Sequence, residues 1–133
     1  MSARSGTLLR VESLGIVAGD GGAAVPLVED LSFTVAAGEV LGIVGESGSG
    51  KSMSAYAVAG LLPDGVRVAG GHLELEGRSL DALPFAERRR LAGDRIGMVF
   101  QDPLSSFNPV RSIGSVLRES LMRHRRVAAR EAR

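Results

Sequence analysis

The eight residues GESGSGKS at positions 45–52 constrain this chain more than any other stretch. They fit the pattern G-x-x-x-x-G-K-S/T, in which a glycine-rich turn between a strand and a helix wraps backbone N–H groups around a polyphosphate. With average residue usage, the four fixed positions coincide by accident in fewer than ~1% of chains this long. The surroundings agree with the letters. Val40, Leu41, Gly42, Ile43 and Val44 form an apolar run of strand length before the loop, and a helix-compatible run begins at Lys51. A helix start leaves N–H groups unpaired and carries partial positive charge, so an anion placed there is stabilised without any side chain. Gly45, Gly48 and Gly50 are expected to take left-handed angles and let the backbone approach phosphates closely. Glu46, Ser47 and Ser49 then contribute as backbone, Lys51 adds a mobile point charge for the outer phosphates, and Ser52 a hydroxyl for Mg²⁺. Lys51 is also the only lysine, among 15 arginines.

A chain of 133 residues has room for one domain of ordinary size. The formal charge of +1 gives no global electrostatic case for nucleic acid. Its distribution is uneven, with seven arginines against Glu119 and Glu131 from residue 111 onward, a net of +5, and −4 over the first 110 residues. Such a basic segment is read first as a solvated helix face and second as a partner surface. The absence of cysteine rules out a disulfide framework and a thiolate metal site. The N-terminus, interrupted by Glu12 and glycines, makes a poor signal peptide, and no run approaches the ~20 apolar residues of a membrane span.

Along the chain, residues 8–14 alternate loosely as a first strand, residues 18–26 (AGDGGAAVP) read as a turn-rich loop, and residues 31–35 (LSFTV) alternate as a second strand. Residues 40–44 predict a buried strand. Residues 51–62, with Met53, Tyr56, Val58, Leu61 and Leu62 around several faces, predict a buried helix ended by Pro63, Asp64 and Gly65. Residues 72–76 alternate as a half-buried strand that Gly77 turns out of. Pro84 opens a short helix through Leu91 that Gly93 would close, and residues 96–100 (IGMVF) predict another buried strand. A last helix begins near Ser112, with Ile113, Val116, Leu117 and Leu121 at helical spacing and a Glu119–Arg123 pair.

The loop by itself leaves several nucleotide enzymes open. A GTPase should add D-x-x-G after a strand and N-K-x-D; the run from Asp94 to Gly97 precedes its strand, and N-K-x-D does not occur. A dinucleotide fold would need G-x-G-x-x-G, which is also absent. The second informative stretch is RIGMVFQDPLSSFNP, residues 95–109. A buried strand ending in Gln101 would put an amide, donor and acceptor together, at the strand end where ligands of open α/β sheets collect.

With GESGSGKS, the GLLP after the first helix and FQDPLSSFNP, the sequence resembles the ATP-binding subunits of ABC transporters, most closely the oligopeptide, dipeptide and nickel importer branch, over nearly all 133 residues. The resemblance implies an α/β, P-loop NTPase core of the ABC ATPase type, incomplete, with an N-terminal antiparallel β subdomain and the start of a helical subdomain. It divides the chain at residue 102: β subdomain and P-loop core over 1–102, Q-loop and helical start over 103–133. It implies ATP and Mg²⁺ as cofactors, with Gln101 as the catalytic Q-loop residue that touches metal and water, and Ser52 and Gln101 as metal contacts. Implied partners are a second ATP-binding subunit and transmembrane permease subunits, with no nucleic acid, and the implied location is peripheral, on the cytoplasmic face of the membrane. Hydrolysis in such a subunit would be coupled to transport of peptides or similar small solutes such as nickel. A rival assignment makes Asp102 the Mg²⁺-organising aspartate of a Walker B strand; the resemblance favours Gln101.

Two features depart from the family pattern. The place after the first strand where the family stacks adenine on an aromatic is Ala18, and no aromatic precedes Phe33, so Val17 or Val25 would have to supply apolar contact. Loss of a base–aromatic stack costs ~1–3 kcal/mol in nucleic-acid sites. Second, LSGGQ, a Walker B strand with its catalytic glutamate, and a switch histidine are missing from the 133 residues; His124, among arginines, reads as a surface residue. The expectation is therefore the N-terminal part of an ATPase subunit, inactive alone, with a truncated nucleotide-binding or interaction module as the alternative.

Overall fold

The computed structural model describes residues 6–102 and 110–125. The chain divides into two compact units, Met1–Arg89 and Arg90–Arg133.

The first unit is built on an antiparallel sheet. Strands β1 (Thr7–Ala18), β2 (Val25–Ala36), β3 (Val66–Leu75) and β4 (Arg78–Ser79) lie in the order β2-β1-β3-β4, so β1 is paired along both edges. Both long flanking strands extend beyond the alternating runs seen in the sequence. β2 begins at Val25 and passes through Pro26, which an edge strand accommodates because its outward N–H needs no partner. Within it Leu31, Phe33 and Val35 are half-buried while Ser32 and Thr34 are exposed, as the alternation of LSFTV requires.

The loose alternation of β1 has a structural cause. Val11 and Leu14 are three residues apart, which on a regular strand would put them on opposite faces, yet both are fully buried with Ile16 and Leu73. A bulge at Glu12 and Ser13 absorbs the extra residue: Ser13 takes φ 45°, and the register of β1 shifts here against both neighbours. Ser13 N–H donates to Ser32 Oγ at 2.8 Å. Opposite the bulge Gly71 has φ 95°, and a Cβ there would lie 2.6 Å from Glu12 O and 2.5 Å from Ser13 O. Only glycine fits that crossing.

β3 turns into β4 through Glu76 (φ 53°) and Gly77 (φ 78°), a two-residue hairpin loop with both angles positive, the twist that suits flanking strands. Beyond it Leu80 N–H returns to Leu73 O at 2.7 Å and buries its side chain, and Asp81 Oδ2 accepts from Leu73 N–H and lies 2.8 Å from His72 Nδ1.

Helix α1 (Lys51–Ala59) is shorter than residues 51–62. It stops at Gly60 (φ 70°), whose N–H bonds Ala57 O while Leu61 N–H bonds Tyr56 O, a Schellman ending that satisfies the last carbonyls three residues before Pro63. Its buried face is made of the small residues Ser54, Ala57 and Ala59; Leu61 is exposed, and Met53, Tyr56 and Val58 are only half-buried. Close packing on the sheet selects small side chains there. Helix α2 (Phe85–Asp94) runs through Gly93, past the expected stop at Leu91, and starts on the Pro84 carbonyl, which accepts from Glu87 and Arg88 N–H. Arg88 Nη2 donates to Ala57 O at 2.5 Å, so a guanidinium covers the carbonyl end of α1, where positive charge is favoured.

In the second unit, α3 (Ile113–Arg125) begins where the sequence places it. Ser112 Oγ accepts from Ser115 N–H at 3.3 Å, an N-cap contact. Glu119 pairs with Arg111 at 2.6 Å. The side chains of Arg123 and His124, and residues 103–109, lie outside the described residues.

Two expected strands do not form. Residues 40–44 make no ladder, with Val40 94% and Val44 93% exposed, and residues 96–100 form only an isolated bridge at Ile96, with Val99 89% exposed. A central strand is defined by neighbours that take its N–H and C=O groups, and no described strand flanks either run. No described helix is long and apolar enough to cross a membrane.

Candidate phosphate-binding site

Residues 45–52 form a loop that closes on the start of α1. Ser49 N–H donates to Glu46 O at 3.3 Å, closing a turn over Glu46, Ser47, Gly48 and Ser49. Gly48 (φ 83°) and Gly50 (φ 82°) take the left-handed region, as expected. Gly45 does not, and its role is space: a Cβ would lie 2.7 Å from Ser49 Oγ. Gly50 is constrained twice, because a Cβ would also meet Val28 Cγ2 at 2.5 Å and Leu27 O at 2.7 Å. The loop is thereby seated on β2, and the helix start is aimed by the sheet.

Gly50 is the N-cap of α1 and has no side chain to cap it, so the first-turn N–H groups have no side-chain acceptor there. Lys51 curls back into the loop. Its Nζ donates to Gly45 O (2.7 Å), Glu46 O (2.5 Å) and Ser49 Oγ (3.1 Å), which centres the one ammonium of the chain among the loop's backbone groups. Ser52 is exposed on the first helical turn. Its hydroxyl is a hard oxygen donor of the kind Mg²⁺ takes alongside phosphate and water.

One supporting residue escaped the sequence reading. Ser54 is 2% exposed, and both its N–H and its Oγ donate to Gly50 O, at 2.9 and 3.0 Å. These two hydrogen bonds to the N-cap carbonyl tie the buried Ser54 to the joint between loop and helix. The only signal was a hydroxyl residue among small apolar ones, which equally suits an ordinary helix.

Gln101 is exposed and follows residues 96–100 in the second unit, next to Asp102, which is also exposed. Ala18 pairs with Val25 and Val66 at the end of β1, and Val25 is 58% exposed. Among the described residues no group of three or more histidines and carboxylates is arranged to hold a metal.

A glycine-rich loop seated on β2, with the Lys51 ammonium inside it and a helix starting at its end, is an arrangement of the P-loop class. The profile of the ABC transporter family matches residues 28–132, and the chain belongs to that family. It is 45% identical over 125 residues to the oligopeptide transport ATP-binding protein OppD of Salmonella typhimurium, and 43% identical over 117 residues to the dipeptide transport ATP-binding protein DppD of Escherichia coli. These alignments cover 94% and 88% of this chain but 37% and 36% of the relatives, so the chain spans just over a third of their length. Among solved structures, the dimeric ATP-binding cassette MJ0796 bound to ADP and Pi superposes with a TM-score of 0.77 at 20% identity, covering 94% of this chain and 54% of that one. The fold is thus part of the ABC ATPase fold.

Proposed function

We propose that this chain is the phosphate-holding part of an ATP-binding transporter subunit, gripping the ATP phosphates with the backbone of residues 45–52 and the ammonium of Lys51. The observation that carries this reading is the loop itself: Lys51 Nζ within 2.7 Å of two loop carbonyls, at an uncapped helix start. A helix start carries unpaired backbone N–H groups and a partial positive charge, which favour a polyphosphate. Ser52 would hold Mg²⁺, which supplies charge neutralisation between the outer phosphates. By its resemblance to the family's Q-loop residue, Gln101 would touch metal and water.

The subunit would act with a second ATP-binding subunit and membrane permeases, at the cytoplasmic face of the membrane, in transport of peptides or similar small solutes. The similarity to OppD and DppD supports that solute class. Hydrolysis needs a positioned and activated water as well as charge stabilisation, and beyond Gln101 no group for that step is identified in this chain. The 133 residues by themselves should therefore bind ATP without turning it over.

Calorimetric titration with Mg·ATP tests the site. Lys51→Ala should weaken binding by at least tenfold, since it removes a charge-assisted contact to phosphate. An affinity unchanged by that substitution would place the site elsewhere.

A further inference from the structure

An ammonium has three donors and no acceptor. All three of those on Lys51 have acceptors inside the loop, Gly45 O at 2.7 Å, Glu46 O at 2.5 Å and Ser49 Oγ at 3.1 Å. To reach a phosphate oxygen, the lysine must give one of them up. The three are not equivalent. The two carbonyls are fixed in the loop backbone, and Glu46 O also accepts from Ser49 N–H. The Ser49 hydroxyl makes the longest of the three contacts, belongs to an exposed side chain and leaves by rotation about one bond.

We propose that Ser49 Oγ is a placeholder, accepting from the lysine donor that a β- or γ-phosphate oxygen takes when nucleotide binds. The inference rests on the reading of residues 45–52 as a phosphate site, and adds a residue that sets affinity by competing with the ligand. Gly45 belongs to the same device. A Cβ at that position would lie 2.7 Å from Ser49 Oγ, so a side chain there would push the hydroxyl off the lysine.

A competitor betrays itself by the sign of its removal. In titrations of the full chain, Ser49→Ala should bind Mg·ATP about three- to fivefold more tightly, the equivalent of one modest net hydrogen bond. Ser49→Thr, which keeps the hydroxyl, should stay within about twofold of the unaltered chain. AMP, which lacks the β- and γ-phosphates, should bind the alanine variant and the unaltered chain equally. Weaker or unchanged ATP binding by Ser49→Ala, or an equal gain for AMP, overturns the placeholder. Lys51→Ala separates the two levels. If it weakens Mg·ATP binding while Ser49→Ala gains nothing, the placeholder alone fails; if it changes nothing, the phosphate site fails and the placeholder with it.

Discussion

β1 and residues 40–44 both read from the sequence as strands of the same unit, and they meet opposite fates. β1 is hydrogen-bonded on both edges and hides Val11, Leu14 and Ile16 completely; the second run has no ladder and leaves Val40 and Val44 almost wholly exposed. Hydrophobicity is present in both, so it is not what separates them. A strand exists only where a neighbour takes its backbone groups; β1 has β2 on one edge and β3 on the other, whereas residues 40–44 have no described partner strand. In the P-loop class the run before the loop belongs to a parallel sheet, whose strands are buried on both faces. Here that run carries the loop, yet the loop is held from the other side, by Gly50 against Leu27 and Val28 of β2.

Substitutions can break this contrast. The largest expected effect is Leu14→Ala, which opens a cavity in the fully paired region and should cost about 3 kcal/mol in chemical denaturation. Gly71→Ala should follow at about 2 kcal/mol, from a Cβ pressed on the Glu12 and Ser13 carbonyls at a left-handed angle. Val44→Ser should lie within ~0.5 kcal/mol of the unaltered chain, because that side chain is already in water. It should also raise the concentration at which the chain stays soluble, by removing apolar surface at an unpaired edge. Loss of more than ~1.5 kcal/mol on Val44→Ser would mean that residues 40–44 are packed in solution, and the contrast with β1 would dissolve.

Much of the candidate site was legible without coordinates. GESGSGKS specifies a turn, a lysine and a helix start by local chemistry, and the structure has all three. Gly48 and Gly50 took the expected angles, and the Ser112 start of α3 held because a capping hydroxyl acts within one turn. What misled was whatever depended on distant partners. β1 and β2 ran past their alternating segments because pairing with each other extended them, and α1 ended early because Gly60 could close a Schellman motif with Arg88 over its last turn. Large apolar residues were expected to bury α1, but the close approach to the sheet favoured Ser54, Ala57 and Ala59.

By itself, the sequence determined the glycine-rich loop, the lysine within it and the membership in the ABC transporter family, since those rest on residue identity over short spans. Tertiary structure decided which apolar runs become strands and why Gly50 and Gly71 admit no side chain. Both depend on backbone from elsewhere in the chain coming within a few ångströms, and spacing along the sequence does not encode that approach.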